Sequence, residues 1–441
     1  MVNRTRRGRG VQSAPTSDLI VSRRRFVGGG LAALAAALAS GGPAACSRHQ
    51  DGLPLDPAMG DDDEELEDLE ASYAPDDRVG DYMTPEAAPL RSRIGELGPL
   101  EDADANGLRL PAGCRSRIVA VSGERPVASD RYRWHREPDG GATFATEDGG
   151  WIYVSNAEIP RVGGVGALRF DARGQLVASY PILEGTDMNC AGGPTPWRTW
   201  LSCEEVARGR VFECDPWGEV EAIERPALGV FKHEAAAVDP VNAHIYLTED
   251  EPDGLLYRFI PEVVTAGGHP DLRAGRLEAA SVDAEGRVHW LPVPDPGYEG
   301  ETPTRLQVPG STAFRGGEGI WYHAGTIYFS TKWDDRIWAF DIQRRQLDIL
   351  YDRATSPRPI LRGVDNVTVS CCGDVLVAED GGSMQIVAIL PTGEPRAIVQ
   401  LVGVEDSEIT GPAFDPSGTR LYFSSQRHPG ITYEVTGPFH V

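Results

Sequence analysis

Trp151-Ile152-Tyr153-Val154-Ser155 sets an aromatic and β-branched face against short polar side chains, the alternation of a strand buried on one side. Similar runs return as Trp200-Leu201-Ser202-Cys203, Ile245-Tyr246-Leu247-Thr248, Ile327-Tyr328-Phe329-Ser330, Leu376-Val377-Ala378 and Leu421-Tyr422-Phe423-Ser424. Their first residues are 49, 45, 82, 49 and 45 apart. Blades of a β-propeller repeat every ~40–50 residues. The spacing therefore predicts an all-β chain folded as a β-propeller, with six blades the best fit and one blade not separately visible. The interval of 82 holds possible outer strands and a Pro/Gly-rich insertion, Pro292-Val293-Pro294-Asp295-Pro296-Gly297. A doubly wound fold would need long helices between strands, and none is written here. A β-sandwich is the alternative architecture.

Composition narrows the function. The 441 residues carry a formal net charge of -24, with 51 Gly and 34 Pro. Such a balance opposes general nucleic-acid binding and attraction to anionic lipid. The charge is uneven. Residues 1–50 hold eight basic groups and one acidic group, residues 51–77 hold twelve acidic groups and no basic one, and residues 78–441 carry -19. Three regions follow: a signal at 1–45, an acidic flexible linker at 46–80, and a propeller domain at 81–441.

The signal reads Ser22-Arg23-Arg24-Arg25-Phe26-Val27, then three glycines and the apolar run from Leu31 to Ala39. Paired arginines before a short apolar run mark export by the twin-arginine machinery. That run is too short for a spanning helix, which needs ~20 residues. No stable transmembrane segment is expected after processing near Ala44, Ala45 or Cys46, and the periplasm is the expected compartment. The chain has seven cysteines and no CxxC pair. Cys203 and Cys214 are candidates for a bridge in an oxidising compartment, whereas adjacent Cys371 and Cys372 suit no ordinary one.

Acidic pairs close or follow the strand runs at Glu204-Glu205, Glu249-Asp250, Asp334-Asp335 and Glu379-Asp380. In a propeller, strand-end loops gather distant residues around one funnel, so this recurrence predicts a shared cation site. Asp187-Met188-Asn189-Cys190-Ala191-Gly192-Gly193 adds a thiol beside an expected flexible turn. No zinc-protease, nucleotide-loop or esterase-elbow motif offers a competing chemistry.

With Thr195-Pro196-Trp197-Arg198-Thr199-Trp200, Asp365-Asn366 and Glu408-Ile409-Thr410-Gly411-Pro412, this pattern resembles the PhoX alkaline phosphatase family from roughly residue 110 to 438. The resemblance implies a periplasmic phosphomonoesterase carrying calcium and an oxo-bridged iron centre, acting on a small phosphorylated substrate. Cys190 matches the family's iron-bridging cysteine. Glu249 and Glu318 match cluster carboxylates, and Glu205, Glu234 and Asp365 are further metal candidates. One motif departs from the family. Its phosphatases carry Phe-x-Arg-Pro-Glu, whereas this chain reads Phe314-Arg315-Gly316-Gly317-Glu318. Gly316 cannot clamp phosphate, so Arg315 is the first replacement candidate, with Arg198 or Lys332 as others. Cys190, Glu318 and Arg315 thus form the expected catalytic set. The alternative is a non-catalytic, calcium-stabilised binding or structural propeller with a degenerate phosphatase site.

Overall fold

The computed structural model describes residues 90–441 apart from 405 and 428. The signal and the acidic linker lie outside the described residues. Six antiparallel sheets stand around one axis as the blades of a propeller. Their innermost strands, in chain order, are Pro138–Ala145, Asn189–Pro194, His233–Asp239, Gly317–His323, Val364–Val369 and Ile409–Phe414, which open blades 1 to 6.

Every repeated run of the sequence is the second strand of a blade: Trp151–Ala157, Trp200–Glu204, His244–Glu249, Thr326–Thr331, Val375–Glu379 and Arg420–Ser425. These strands are clad by sheets on both sides, which explains their apolar load. Tyr153, Trp200, Tyr246, Phe329 and Tyr422 are all buried. The six runs were already all six blades, and no further blade hides in the long interval. Blade 3 instead carries a fifth strand, Val288–Pro292, outside its fourth strand Gly275–Val282, and the stretch from 293 to 316 follows before blade 4.

The ring is closed by its own amino-terminal side. Arg115–Val121 pairs antiparallel with Ile431–Thr436 as the outer strand of blade 6, and Leu108–Arg109 adds an edge to blade 5. Backbone bonds between the two ends of the domain thereby hold the circle shut. Between blades the core is a series of face-to-face packings. Ala142, Ile152 and Val154 of blade 1 meet Trp200 and Cys214 of blade 2, for example.

Near the axis only small residues fit. A Cβ on Gly193 would lie 1.8 Å from the Ala236 carbonyl oxygen, and one on Gly319 2.2 Å from the Val367 nitrogen. Gly192 and Gly193 therefore serve strand and blade contact inside a β-strand, not the flexible turn expected around Cys190. The bridge considered between Cys203 and Cys214 also fails. The register sets Cys214 opposite Trp200 and Cys203 opposite Val211, so the thiols are far apart along the ladder, and both are free.

Candidate metal centre at the propeller axis

All six innermost strands slip register near their first residues. A bulge of this kind re-aims a side chain out of the alternation of the sheet. The residues at these slips on blades 1 to 5 are Asp139, Cys190, Glu234, Glu318 and Asp365. On blade 6 Thr410 turns its hydroxyl to the Pro138 carbonyl at 2.7 Å, and Glu408 supplies the acid just ahead of the strand.

A second tier comes from the first residue beyond each second strand: Glu158, Glu205, Asp250, Lys332, Asp380 and Gln426. Together the tiers form an arc of donors. Four overlapping groups each keep their ligand atoms within 4.8 Å of one another: Asp139–Glu158–Cys190, Cys190–Glu205–Glu234, Glu234–Glu318–Asp365 and Asp365–Asp380–Glu408. Cys190, Glu234 and Asp365 each belong to two groups. Backbone anchoring fixes the thiol, since Asn156 Nδ2 donates to the carbonyls of Cys190 and Ala191 at 3.2 and 2.7 Å. The thiol itself donates to Glu234 Oε1 at 3.3 Å.

Cations are few against this many acids. Lys332 Nζ lies 2.9 Å from Asp365, 2.8 Å from Asp380 and 3.6 Å from Glu318. Lys232 bridges Glu205 and Asp250 at 2.8 Å each, and Arg427 reaches Glu408 at 2.6 Å. Gln426 donates to Asp139 at 2.6 Å and Glu158 at 2.7 Å.

The electrostatic consequence is steep. Burial pushes the Glu205 carboxyl up to about 8, with Glu158 adding to the rise and Lys232 opposing it. Burial, then the Glu318 and Glu205 charges, hold Glu234 well above the carboxylate range. The Cys190 thiol is raised by burial and then by Asp139 and Glu234. Glu318 is raised by burial despite Lys332, and its Oε1 is buried with no hydrogen-bond partner. Carboxylates and a thiol crowded this closely hold their protons unless a cation replaces them.

Of the residues singled out from sequence, Cys190, Glu205, Glu234, Glu318 and Asp365 meet at the axis. Glu249 does not: its Oε2 accepts from Tyr257 at 2.8 Å and from the Leu255 amide at 3.2 Å, and Arg305 stands 3.6 Å from its Oε1. It braces the loops of blade 3, while its neighbour Asp250 faces Lys232. Arg315 is also absent from the arc. It is exposed, and the group on which its charge acts is Asp334. Arg198 stacks on Trp217 at 4.5 Å and donates to the Ala145 carbonyl, so of the alternative cations only Lys332 reaches the acids. His233, the neighbour of Glu234 in the chain, spends its Nε2 on the Gly229 carbonyl at 2.9 Å. Asp139 and Glu158 were missed from sequence, though each occupies in blade 1 the place that Cys190 and Glu205 hold in blade 2.

Residues 163–214 and 206–336 match the family described as alkaline phosphatase PhoX. The chain is PhoX-like. The fold agrees: PhoX from Pseudomonas fluorescens, solved in complex with vanadate, a transition-state analogue, superposes with a TM-score of 0.62 at 17% identity, covering 77% of this chain and 98% of that one. A gluconolactonase from Xanthomonas campestris gives 0.44 at 15% identity over 82% of this chain and 98% of its own. Regucalcin, a calcium-binding protein from Agrobacterium tumefaciens, gives 0.42 at 14% over 68% and 92%. No curated protein sequence matches the chain at a level that would indicate kinship. Among the described residues of this PhoX-like chain, no helix is long and apolar enough to cross a membrane.

Proposed function

We propose that this chain is a metal-dependent phosphatase of phosphomonoesters, exported through the twin-arginine route to the periplasm, with calcium and iron as its metals. The observation that carries the reading is the arc of four overlapping donor groups, whose shared members are Cys190, Glu234 and Asp365. The donor set suits the metals. Sets made of carboxylates alone, such as Glu234–Glu318–Asp365 and Asp365–Asp380–Glu408, fit hard calcium, and the groups that include the Cys190 thiolate fit iron. Glu318 Oε1, buried without a hydrogen bond and with the Lys332 ammonium 3.6 Å away, is an acceptor that a cation would satisfy. Bound cations would neutralise phosphate oxygens and the charge that develops on them during hydrolysis.

The chain's own residues have separate work. Without counter-cations the arc would repel a phosphate monoester, so the acids' first task is to recruit positive charge. Lys332, held by Asp365 at 2.9 Å and Asp380 at 2.8 Å, is the ammonium placed to engage a phosphate oxygen, and those two carboxylates would also help hold a cation. Lys332 is the residue proposed to replace the family arginine missing at Gly316, with Arg315 confined to the rim. Gly316 has no room for the lost side chain, because a Cβ there would lie 2.2 Å from Trp333 Cδ1. A vanadate-bound PhoX of the same fold supports a phosphoryl-transfer reading.

That filled gap is also what favours the second reading, a binding or structural propeller with a degenerate site. Phosphate release on a panel of monoesters, measured with metal analysis of the exported protein, separates the two. Turnover that needs bound metal supports the phosphatase. Full metal occupancy without release of phosphate from any ester supports the degenerate propeller.

A further inference from the structure

On the opposite end of blade 5 a second donor group stands apart from the axis. The turn after Val364–Val369 carries Cys371 and Cys372, and six residues of extended chain put it about 20 Å from Asp365. Both Sγ atoms and a ring nitrogen of His440 lie within 4.8 Å of one another. His440 is 3% exposed. Its Nδ1 donates to the Gly418 carbonyl at 2.7 Å, and Phe414 packs edge-on to its ring at 4.8 Å. With the proton fixed on Nδ1, Nε2 keeps its lone pair, and that nitrogen is buried with no partner. A carbonyl on one ring nitrogen and a free lone pair on the other is how metal-binding histidines are held.

The sulfurs supply a second test. Cys371 and Cys372 Sγ are 3.7 Å apart. Two thiolates on a tetrahedral zinc at ~2.3 Å from each sulfur would be roughly 3.8 Å apart. Little movement would be needed to admit the ion.

We propose that Cys371, Cys372 and His440 form a site for a soft divalent cation of the zinc type, with a water at the fourth position. Binding forms two metal–sulfur bonds and one metal–nitrogen bond, and releases the two thiol protons to solvent. The site would be a clip. Cys372 Sγ lies 3.1 Å from the Leu90 carbonyl, and Arg91 and Val441 exchange backbone bonds at 2.7 and 3.0 Å. One ion would therefore tie the blade 5 turn to the segment around His440, against residues Leu90 to Ser92. This role is independent of the phosphatase reading.

The experiment uses the full-length protein, reduced, loaded with calcium and iron, and titrated with zinc alone against a chromophoric chelator. The wild type should bind one more tight equivalent than Cys371→Ser/Cys372→Ser, and His440→Gln should weaken that equivalent about 100-fold. Zinc should also protect both thiols of the wild type from alkylation and raise its Tm, leaving phosphate release unchanged. Equal zinc counts in wild type and the double variant would overturn the site. So would unprotected thiols in the wild type, a readout that needs no variant to fold, or a Cys371–Cys372 disulfide that persists under reductant.

Discussion

Glu434 and Glu234 are both about 98% or more hidden from solvent, yet they live in opposite surroundings. Glu434, in the third strand of blade 6, receives Arg117 at 2.6 Å, Arg420 at 2.8 Å and the Tyr422 hydroxyl at 2.6 Å. Two guanidiniums and a phenol satisfy it. Glu234 faces Cys190, Glu205, Glu318 and Asp365, and among the described residues no guanidinium is placed against it. A buried charge left this way costs several kcal/mol unless it is protonated or met by a cation. The first acid is paired within the fold; the second is held by the fold beside other acids and must keep its proton or meet a cation.

The contrast can be broken by exchanging the two fates. Glu234→Gln should reduce phosphate release by at least about 100-fold, since changes even to residues that merely support metal ligands cost ~10–100-fold. Metal content should fall with it, while thermal unfolding of the stripped protein should move up because a repelled carboxylate is gone. Glu434→Gln should do the reverse. It should cost about 2 kcal/mol, less than the ~3–5 kcal/mol of a fully buried broken pair. The discount follows because Arg117 and Arg420 are 38% and 25% exposed and can rehydrate. Metal content and turnover per folded molecule should not change. Urea unfolding with metal analysis of both variants distinguishes these outcomes.

Removing metal sharpens the same point through pH. In the stripped protein burial raises Glu205 to about 8 from the ordinary glutamate value of 4.5, so the native state binds the extra proton. Stability should then be fullest below about 4.5 on this account and decline as pH rises toward about 8. Calcium and iron should flatten that decline, because the cation takes the place of the proton. Thermal melts at several pH values, with and without chelator, report the difference. A stripped protein that gains stability over this range would contradict the crowding of buried acids around Glu205 at the axis.

Smaller effects separate the two candidate clamps. Lys332→Met should lower kcat/KM about 10-fold on every monoester, whereas Arg315→Lys should stay within about twofold because the exposed guanidinium acts on Asp334. Equal losses in both would return Arg315 to the site. At the other end of the chain, Arg23→Lys/Arg24→Lys should leave the unprocessed precursor inside the cell, read by compartment fractionation.

The architecture was legible because its signal lies in second strands, packed on both faces and so rich in Trp, Tyr, Ile and Phe at a fixed interval. Blade 3 obscured the count by adding a fifth, outer strand and the stretch from 293 to 316, which lengthen a repeat without adding a blade. The site was half legible. Glu205 follows a conspicuous strand run directly, but the strand of blade 1 continues through Asn156 and Ala157 before Glu158, which hid the equivalence. Asp139 sits in Asp139-Gly140-Gly141, which reads as a turn until the register slip makes it the counterpart of Cys190. Glu249 and Asp250 are neighbours on a strand end and so point to different sides, a distinction that pairwise acidity does not encode. Lys232 and Arg427 became visible only when the blades brought them to the acids.

The most direct measurement is iron and calcium content of the freshly exported protein, taken with phosphate release from the same preparation before chelation, after chelation and after metal return. The account predicts bound iron and calcium, loss of both metals and of turnover on chelation, and recovery of turnover when they are restored. Undiminished phosphate release from fully stripped protein would contradict it, as would the absence of metal from a preparation that is active.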